Sequence, residues 1–182
     1  MALNPVTPDV IARLQGALPP AAFREVAPRY LEEPRGRWAG QAGVIVAPET
    51  VEQVSEVIRA AAHDRVPVLP YGGGTGLVGG QISAEGTAPI LLSLERMRAI
   101  RAMDEDGRSL TVEAGVILAD IHATAQKAGL LFPLSLASQG SARIGGRLAT
   151  NAGGVNVLLE GNVRDLVWCI DAVMSSRSIF HG

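Results

Sequence analysis

The order of apolar and polar residues predicts an α+β fold made of two α+β subdomains. A strand–helix–strand pattern occupies one half of the chain, and a hairpin followed by a helix occupies the other. Strand–helix–strand units place their strands in parallel, whereas a hairpin is antiparallel. Glycine-rich segments separate these patterns. We therefore expect a lead-in at 1–42, a first subdomain at 43–94 and a second subdomain at 95–174.

The lead-in is predicted to hold one short amphipathic helix and then an irregular connection. Thr7 can cap a helix over 8–18, because its hydroxyl accepts hydrogen bonds from the first-turn amides, and a proline pair ends this helix. Residues 21–41 show no regular period. They include Trp38, for which packing in the core is the stronger expectation, although the ring could stack on a planar ligand.

The first subdomain is predicted to contain three strands and one long helix. Short apolar runs at 43–47 and 90–94 are typical of buried strands, and the run at 66–70 predicts another strand. Between the runs at 43–47 and 66–70, apolar residues recur at helical spacing over 50–64, after a capping sequence at Thr50. The resulting unit should pair its strands in parallel through a right-handed crossover.

The second subdomain is predicted to begin with a hairpin. Residues 98–104 and 109–113 flank an Asp-Gly turn, and an amphipathic helix follows at 119–127. The last apolar run, 166–174, indicates a further strand. We expect Cys169, which lies in this run, to be a buried small hydrophobe.

Composition excludes several classes of protein. The 182 residues are 47% hydrophobic and 19% charged, which is typical of a globular protein. A net charge of −2 gives no reason to expect nucleic acid as a partner. There is no apolar run long enough for a membrane span and no signal-peptide pattern, so we expect a cytoplasmic protein. A single cysteine and the absence of zinc-ligand histidine spacing predict no metal site.

The glycine-rich loop at 70–80 is the strongest functional signal. Glycines lack Cβ atoms, so successive backbone amides can converge on a phosphate, and Thr75 can add its hydroxyl. Residues 74–79 match G-x-G-x-x-G, with Glu95 about 20 positions on, but the helix breakers that follow argue against the helix required by that dinucleotide motif. On this loop alone, a flexible hairpin tip without a ligand stays open as the alternative. The candidate residues are Pro70, Tyr71, Gly72, Gly73, Gly74, Thr75, Gly76, Leu77 and Gly79.

A second segment, 138–154, alternates small residues with Ser, Thr and Asn. Small residues let backbone approach a flat ring, and the polar side chains can bond to its edge; an ordinary polar loop is the alternative. Arg143 and Arg147 flank the segment and could bind a carboxylate or phosphate, with a solvated position slightly favoured for each. The candidate residues are Gly140, Ser141, Ile144, Gly145, Gly146, Thr150, Asn151 and Gly153.

These two segments, in this order, resemble the FAD-binding domain of FAD-linked oxidases of the vanillyl-alcohol-oxidase type. The nearest resemblance is to D-lactate, glycolate and D-2-hydroxyglutarate dehydrogenase-like members. Residues 70–80 resemble the pyrophosphate loop, and 140–154 resemble the segment along the ribityl chain and flavin. Gly161 and Val163 belong to a run that resembles the one leading back to the adenine end. The resemblance covers residues 35–174.

The resemblance implies two α+β subdomains with the FAD crevice between them. It also implies oxidation of a small 2-hydroxy acid by hydride transfer to the flavin. Covalent members of the wider group carry a histidine in the glycine loop. Gly74 and Thr75 stand there instead, so we expect non-covalent FAD.

Some features depart from the family pattern. The substrate domain and most catalytic residues of relatives are expected beyond this chain, so no catalytic residue is assigned; His63 and His122 are expected at the surface. Residues 175–182 do not continue the implied strand and turn and are expected to form an aberrant tail. Glu160 stands where relatives commonly carry Tyr.

Three hypotheses stay open. The first is the FAD-binding portion of a 2-hydroxy acid oxidoreductase, inactive by itself. The second is a truncated domain that keeps the fold and binds no flavin, and a weaker third is a site for another phosphate-bearing nucleotide. Apolar surface left open by a missing domain would favour self-association.

Overall fold

A computed structural model describes residues 3–176 and 178–182. Its main sheet has four strands in the spatial order β1 (Phe23–Arg24), β2 (Val44–Val46), β4 (Ile90–Ser93) and β3 (Val68–Tyr71). Both neighbours of β4 run parallel to it, while β1 is antiparallel to β2.

The predicted strand–helix–strand unit is present, but its two strands do not pair with each other. β4 lies between β2 and β3, with Ile45 and Leu69 both opposite Leu91. All four residues of β4 are buried, and such a strand takes a central position in a sheet covered on both faces. The apolar runs predicted the direction of the strands correctly, and they carried no information about which strands are neighbours.

The two faces of the sheet are covered by different parts of the chain. Val44, Val46, Ile90 and Leu92 point into a core shared with α1 (Pro8–Ala17) and α3 (Val51–Asp64). Alternate residues of the same strands point to the opposite face. There Ile45, Leu91 and Tyr71 form a second cluster with Tyr30.

Helix α1 of the lead-in and helix α3 of the first subdomain both begin as predicted. Thr7 Oγ1 accepts from the Val10 amide at 3.4 Å, and Thr50 Oγ1 accepts from the Gln53 amide at 3.3 Å. The second helix ends at Arg65, which takes a left-handed conformation with φ of 55°.

The lead-in is more ordered than the sequence indicated. It contains β1, a 3₁₀ turn at Pro20–Ala22 and the short helix α2 (Pro28–Leu31). Tyr30 of α2 is 2% exposed and covers one face of the sheet. Trp38 was expected in the core, and this is wrong: it is 39% exposed and lies where a Cβ on Gly79 would approach its ring at 3.2 Å.

The second subdomain contains the predicted hairpin and helix, together with two helices that the sequence did not indicate. β5 (Ile100–Asp104) and β6 (Ser109–Val112) pair antiparallel, and α4 (Leu118–Lys127) follows. The unpredicted helices are α5 (Ile144–Thr150) and α6 (Val157–Glu160). A small core of Leu118, Leu134, Ala142 and Val163 joins α4 to the chain before α5 and to the turn after α6, and Ile144 of α5 packs against it.

The last part of the chain differs most from expectation. Only Asp171–Val173 of the predicted strand 166–174 is a strand (β7), and a 3₁₀ turn at Val163–Leu166 precedes it. Cys169 is exposed, so its predicted burial is wrong. The expected tail carries β8 (Ile179–His181), which pairs antiparallel with β7. Among the described residues, the longest apolar helix is too short to cross a membrane.

Candidate functional site

A cavity of about 610 Å³ lies where the glycine loop, the second segment and the lead-in meet. Its position agrees with a crevice between two subdomains, and the lead-in adds a wall that the sequence did not predict. The residues that line it from these three parts include Gly72, Gly73, Gly74, Gly140, Ser141, Arg143, Tyr30 and Glu33.

The glycine loop follows β3 and contains no helix, as the helix breakers indicated. Gly74 has a φ of 67°, and a Cβ there would clash with the Tyr71 hydroxyl oxygen. A Cβ on Gly73 would clash with the carbonyl oxygen of Ser141, which belongs to the second segment. Glycine is therefore required at these two positions by the close approach of the loop to its neighbours.

The backbone amides of the loop form a set of free donors. Within the described part of the chain, no N–H from 72 to 80 donates to a protein acceptor. The carbonyl oxygens of Gly74 and Gly76 accept from Gln81 Nε2 at 3.5 and 2.8 Å. Residues 72–76 are half-buried, and half-buried donors without acceptors favour a ligand that supplies them.

The second segment forms α5 and its approach. The amides of Ile144 and Gly145 donate to the carbonyl oxygens of Val116 and Ala114 at 3.0 and 2.9 Å. A Cβ on Gly145 would lie 2.7 Å from the Ala114 Cβ, and one on Gly72 would lie 3.5 Å from the Gly146 Cα. The two predicted segments thus meet backbone to backbone.

Other candidate residues are not among those that line the cavity, although Gly146 lies directly against Gly72. The Asn151 side chain accepts from the Arg164 amide at 3.3 Å, and Gly161 has a φ of 76°. The contact between Asn151 and Arg164 ties the end of α5 to the turn that follows α6. The candidates that do not line the cavity are Pro70, Thr75, Gly76, Leu77, Gly79, Ile144, Gly145, Gly146, Thr150, Asn151, Gly153, Gly161 and Val163.

One polar cluster beside the cavity was missed by sequence reasoning. Glu95 accepts from Arg24 Nε at 2.6 Å and from the Tyr30 hydroxyl at 3.0 Å. Although burial alone would raise it, these hydrogen bonds and the charges of Arg24 and Arg29 hold the pKa of Glu95 below its ordinary value. The sequence showed Glu95 only as the acidic residue of a rejected motif, and nothing connected it with the lead-in.

The same cluster fixes Tyr71, the last residue of β3. Its hydroxyl donates to the carbonyl oxygen of Arg29 at 2.5 Å, and its ring meets Tyr30 edge-on with centroids 5.4 Å apart. Burial raises the pKa of Tyr71. Both tyrosines therefore remain neutral donors at neutral pH, and the lead-in contacts the base of the glycine loop.

The two arginines of the second segment are half-buried, so their expected solvated positions are wrong. Arg143 Nη1 donates to the carbonyl oxygen of Gly115 at 2.5 Å. Arg147 Nη2 donates to Thr75 Oγ1 at 2.5 Å and to Ser138 Oγ at 2.6 Å. Burial lowers the pKa of Arg147.

The histidines take no part in the cavity. His63 is exposed and its Nδ1 lies 2.8 Å from Asp64 Oδ1. His122 is half-buried rather than fully at the surface, with Nε2 2.9 Å from the carbonyl oxygen of Leu134. Among the described residues, no three His, Cys, Asp or Glu side chains are grouped to hold a metal.

An α+β pair of subdomains with a glycine-loop crevice between them defines a nucleotide-cofactor-binding domain. Residues 42–180 match the family described as FAD binding domain. The chain belongs to this family, and its cofactor is FAD. The match continues through most of the segment that was expected to be an aberrant tail.

Similar proteins include a D-2-hydroxyglutarate dehydrogenase from Xanthomonas citri pv. viticola, 41% identical over 79% of this chain and 30% of the relative. The mitochondrial D-2-hydroxyglutarate dehydrogenase of Bos taurus is 31% identical over 97% of this chain and 32% of its own length. A D-lactate dehydrogenase from Archaeoglobus fulgidus is 35% identical over 95% and 38%. The chain thus spans about a third of the length of these curated relatives.

Solved structures share the fold at low sequence identity. An alkyldihydroxyacetonephosphate synthase matches with a TM-score of 0.83 and 18% identity, over 100% of this chain and 39% of its own. A Phl p 4 variant described as a glucose dehydrogenase matches with a TM-score of 0.82 and 17% identity, over 96% and 38%. At these identities the likeness concerns the fold alone.

Proposed function

We propose that the chain binds FAD non-covalently, with the diphosphate on the amides of 72–76 and the flavin side along Gly140, Ser141 and Gly146. One observation carries this proposal: the half-buried amides of the glycine loop have no protein acceptor among the described residues. A diphosphate supplies several acceptor oxygens in a small volume, and it satisfies amide donors that a ligand-free loop would leave unpaired.

The contact between the two segments supports the same assignment. Gly72 and Gly146 approach closely, and Gly73 leaves no space for a side chain beside Ser141. A wall of backbone and small residues lets a planar ring or a polyol chain come within hydrogen-bond distance. Thr150, Asn151, Gly153, Gly161 and Val163 stay predicted cofactor contacts.

The full-length enzyme is proposed to oxidise a small 2-hydroxy acid to the 2-oxo acid. FAD, when bound, supplies the acceptor for the hydride from the carbinol carbon. The residues of this chain hold and orient the cofactor and exclude water from its diphosphate side. Support comes from relatives named as D-2-hydroxyglutarate and D-lactate dehydrogenases.

Retention of flavin by the purified chain tests the binding proposal. FAD is added, excess is removed by desalting, and the visible spectrum is recorded; we expect flavin absorbance that acid precipitation releases into the supernatant. Gly74→Ala should remove it, because the new Cβ meets the Tyr71 hydroxyl at a positive φ. Gly16→Ala is the matched control, since that position in α1 has open space around it.

If the domain binds no flavin, the desalted chain should show no flavin absorbance. A wild-type chain with a folded circular dichroism spectrum and no retained flavin would establish it. Yellow colour left in the acid pellet would instead contradict non-covalent attachment.

Self-association is proposed as a property of the second subdomain. Val155, Leu158 and Leu159 are 85%, 102% and 84% exposed, and adjacent apolar side chains of this size favour association in water. Light scattering after size exclusion should show oligomers that Leu158→Ser with Leu159→Ser reduces. A mass that stays monomeric at all concentrations would refute the proposal.

A cytoplasmic location is also proposed. The relative from Bos taurus is named as mitochondrial, so the location has to be measured for this protein. Fractionation of cells that express the tagged natural protein decides it, and recovery in an organelle would contradict the proposal.

A further inference from the structure

Arg147 reaches from the second segment to the glycine loop. Its Nη2 atom donates to Thr75 Oγ1 at 2.5 Å and to Ser138 Oγ at 2.6 Å. The side chain is half-buried, and both of its partners are neutral hydroxyls. Among the described residues, no carboxylate lies within ion-pair distance of this guanidinium.

A half-buried cation without a counter-charge is costly, because it gives up solvent without gaining an ion pair. Two of the acids that line the cavity, Glu33 and Glu95, are already engaged with other groups, and the third, Glu32, is exposed to solvent. Glu95 accepts from Arg24, and the Glu33 carboxylate accepts from the amides of Arg35 and Arg37 at 2.9 and 2.7 Å. The charge of Arg147 is therefore available for an anion from outside the protein.

We propose that Arg147 binds the diphosphate of the cofactor together with the free amides of the glycine loop. Thr75 links the guanidinium directly to that loop. A guanidinium has five N–H donors, and the two hydroxyls engage only Nη2, so Nε and Nη1 keep donors for phosphate oxygens. This inference rests on the proposed FAD site.

The position of Arg147 gives this contact a second consequence. Arg147 lies on α5 in the second subdomain, whereas the free amides follow β3 in the first. One anion held by both would join the two sides of the crevice. In the free chain, the hydroxyls of Thr75 and Ser138 hold the guanidinium in place for this contact.

Three ligands distinguish a phosphate contact from a flavin contact: FAD, ADP, which has the diphosphate without the flavin, and riboflavin, which has the flavin without phosphate. Dissociation constants are measured for the wild-type chain, Arg147→Gln and Arg147→Lys. Loss of a charge-assisted contact should weaken FAD and ADP by roughly ten- to a hundred-fold in Arg147→Gln, with riboflavin binding unchanged. Arg147→Lys should fall between, because an ammonium keeps the charge and loses the fork.

Arg59→Gln is the charge-matched control. Arg59 is exposed on α3, where it pairs with Glu56 at 3.0 Å. It should leave all three dissociation constants unchanged. Salt supplies an independent readout: ADP binding to the wild-type chain should weaken with ionic strength more steeply than binding to Arg147→Gln.

Other outcomes would overturn the inference. Equal weakening of all three ligands would show that Arg147 only ties two protein segments together. Weakening of riboflavin with ADP unaffected would place the guanidinium on the flavin ring. If Arg147→Gln does not fold, equal ADP affinity of Arg147→Lys and wild type overturns it, whereas a wild-type chain that binds no FAD refutes the proposed function itself.

Discussion

The two subdomains bury their apolar residues to very different extents. In the first, the central strand β4 is buried along its whole length, with α1 and α3 on one face and the lead-in on the other. In the second, the core is small, and Leu158 and Leu159 of α6 are 102% and 84% exposed. The first side of the crevice is therefore supported by a packed sheet, whereas the structure of the second side depends more on backbone hydrogen bonds.

The two sides of the site are held in place by different kinds of contact. The glycine loop leaves β3 directly, and Tyr71 at its base is fixed by the lead-in. The second segment is attached through amides of Ile144 and Gly145 that donate to Val116 and Ala114. The glycine loop is therefore held by the packed sheet and the lead-in, and the second segment is held by backbone hydrogen bonds.

The largest expected effect comes from truncating a residue of the buried sheet. Leu91 is fully buried in the middle of β4, and Leu91→Ala should lower the free energy of unfolding by about 2–5 kcal/mol. Leu158→Ala makes the same chemical change at an exposed site and should cost close to nothing. Urea unfolding of both variants measures the contrast. Equal losses would mean that α6 is packed as tightly as the sheet.

The next effect concerns the junction between the two sides. A Cβ on Gly73 would clash with the carbonyl oxygen of Ser141, so Gly73→Ala must push the loop and the second segment apart. We expect a loss of about 1–3 kcal/mol from this overpacking and a loss of retained FAD. Gly16→Ala, where the new Cβ meets open space, should retain both. Normal flavin binding by Gly73→Ala would show that the contact does not shape the site.

The sequence predicted the elements with strong periodicity and failed where order depends on distant contacts. Helix α3 has both a capping threonine and an apolar stripe, and its start was predicted correctly. The neighbour order of β2, β3 and β4 was not predictable, because each strand is an apolar run with the same appearance. An apolar run of this kind indicates a strand of a parallel sheet, but it does not specify the spatial order of the strands.

At the site, the glycine loop could be recognised because its function requires residues that no core needs. The role of the lead-in could not be predicted from the sequence. Tyr30 covers the sheet through contacts with Ile45, Tyr71 and Leu91, which lie far from it along the chain. The predicted burial of Cys169 is wrong because an apolar run is not evidence of burial where the surrounding core is small. Arg147 looked like a surface charge because its partners, Thr75 and Ser138, are ordinary hydroxyls.

The pH dependence of stability tests the polar cluster through which the lead-in contacts Glu95. The pKa of Glu95 is lower in the folded chain than in the unfolded one, so its contribution is complete above the unfolded pKa and is lost as pH falls through the folded value. Glu95→Gln should cost about 1.5–3 kcal/mol at neutral pH, because it removes the charged acceptor of Arg24 and Tyr30.

The difference between wild type and Glu95→Gln should therefore narrow as the medium is acidified below the ordinary glutamate range. Thermal unfolding across pH values measures it. Glu105→Gln, at an exposed turn residue of the hairpin, is the matched control and should leave the profile unchanged. A gap that stays constant down to acid pH would show that the Glu95 charge contributes nothing to stability.

The smallest expected effect tests whether the lead-in organises the loop or only covers the sheet. Tyr71→Phe removes the hydroxyl that donates to the Arg29 carbonyl oxygen and that lies against Gly74, and it keeps the ring in its place beside Tyr30. Losing this one hydrogen bond should cost about 1 kcal/mol of unfolding free energy. If the hydroxyl also shapes the loop, FAD affinity should fall several-fold in the same variant.

Tyr30→Phe, which loses its bond to Glu95 rather than a contact with the loop, should reduce stability and leave FAD affinity unchanged. Equal FAD affinities of both variants and wild type would show that the lead-in covers the sheet without shaping the loop.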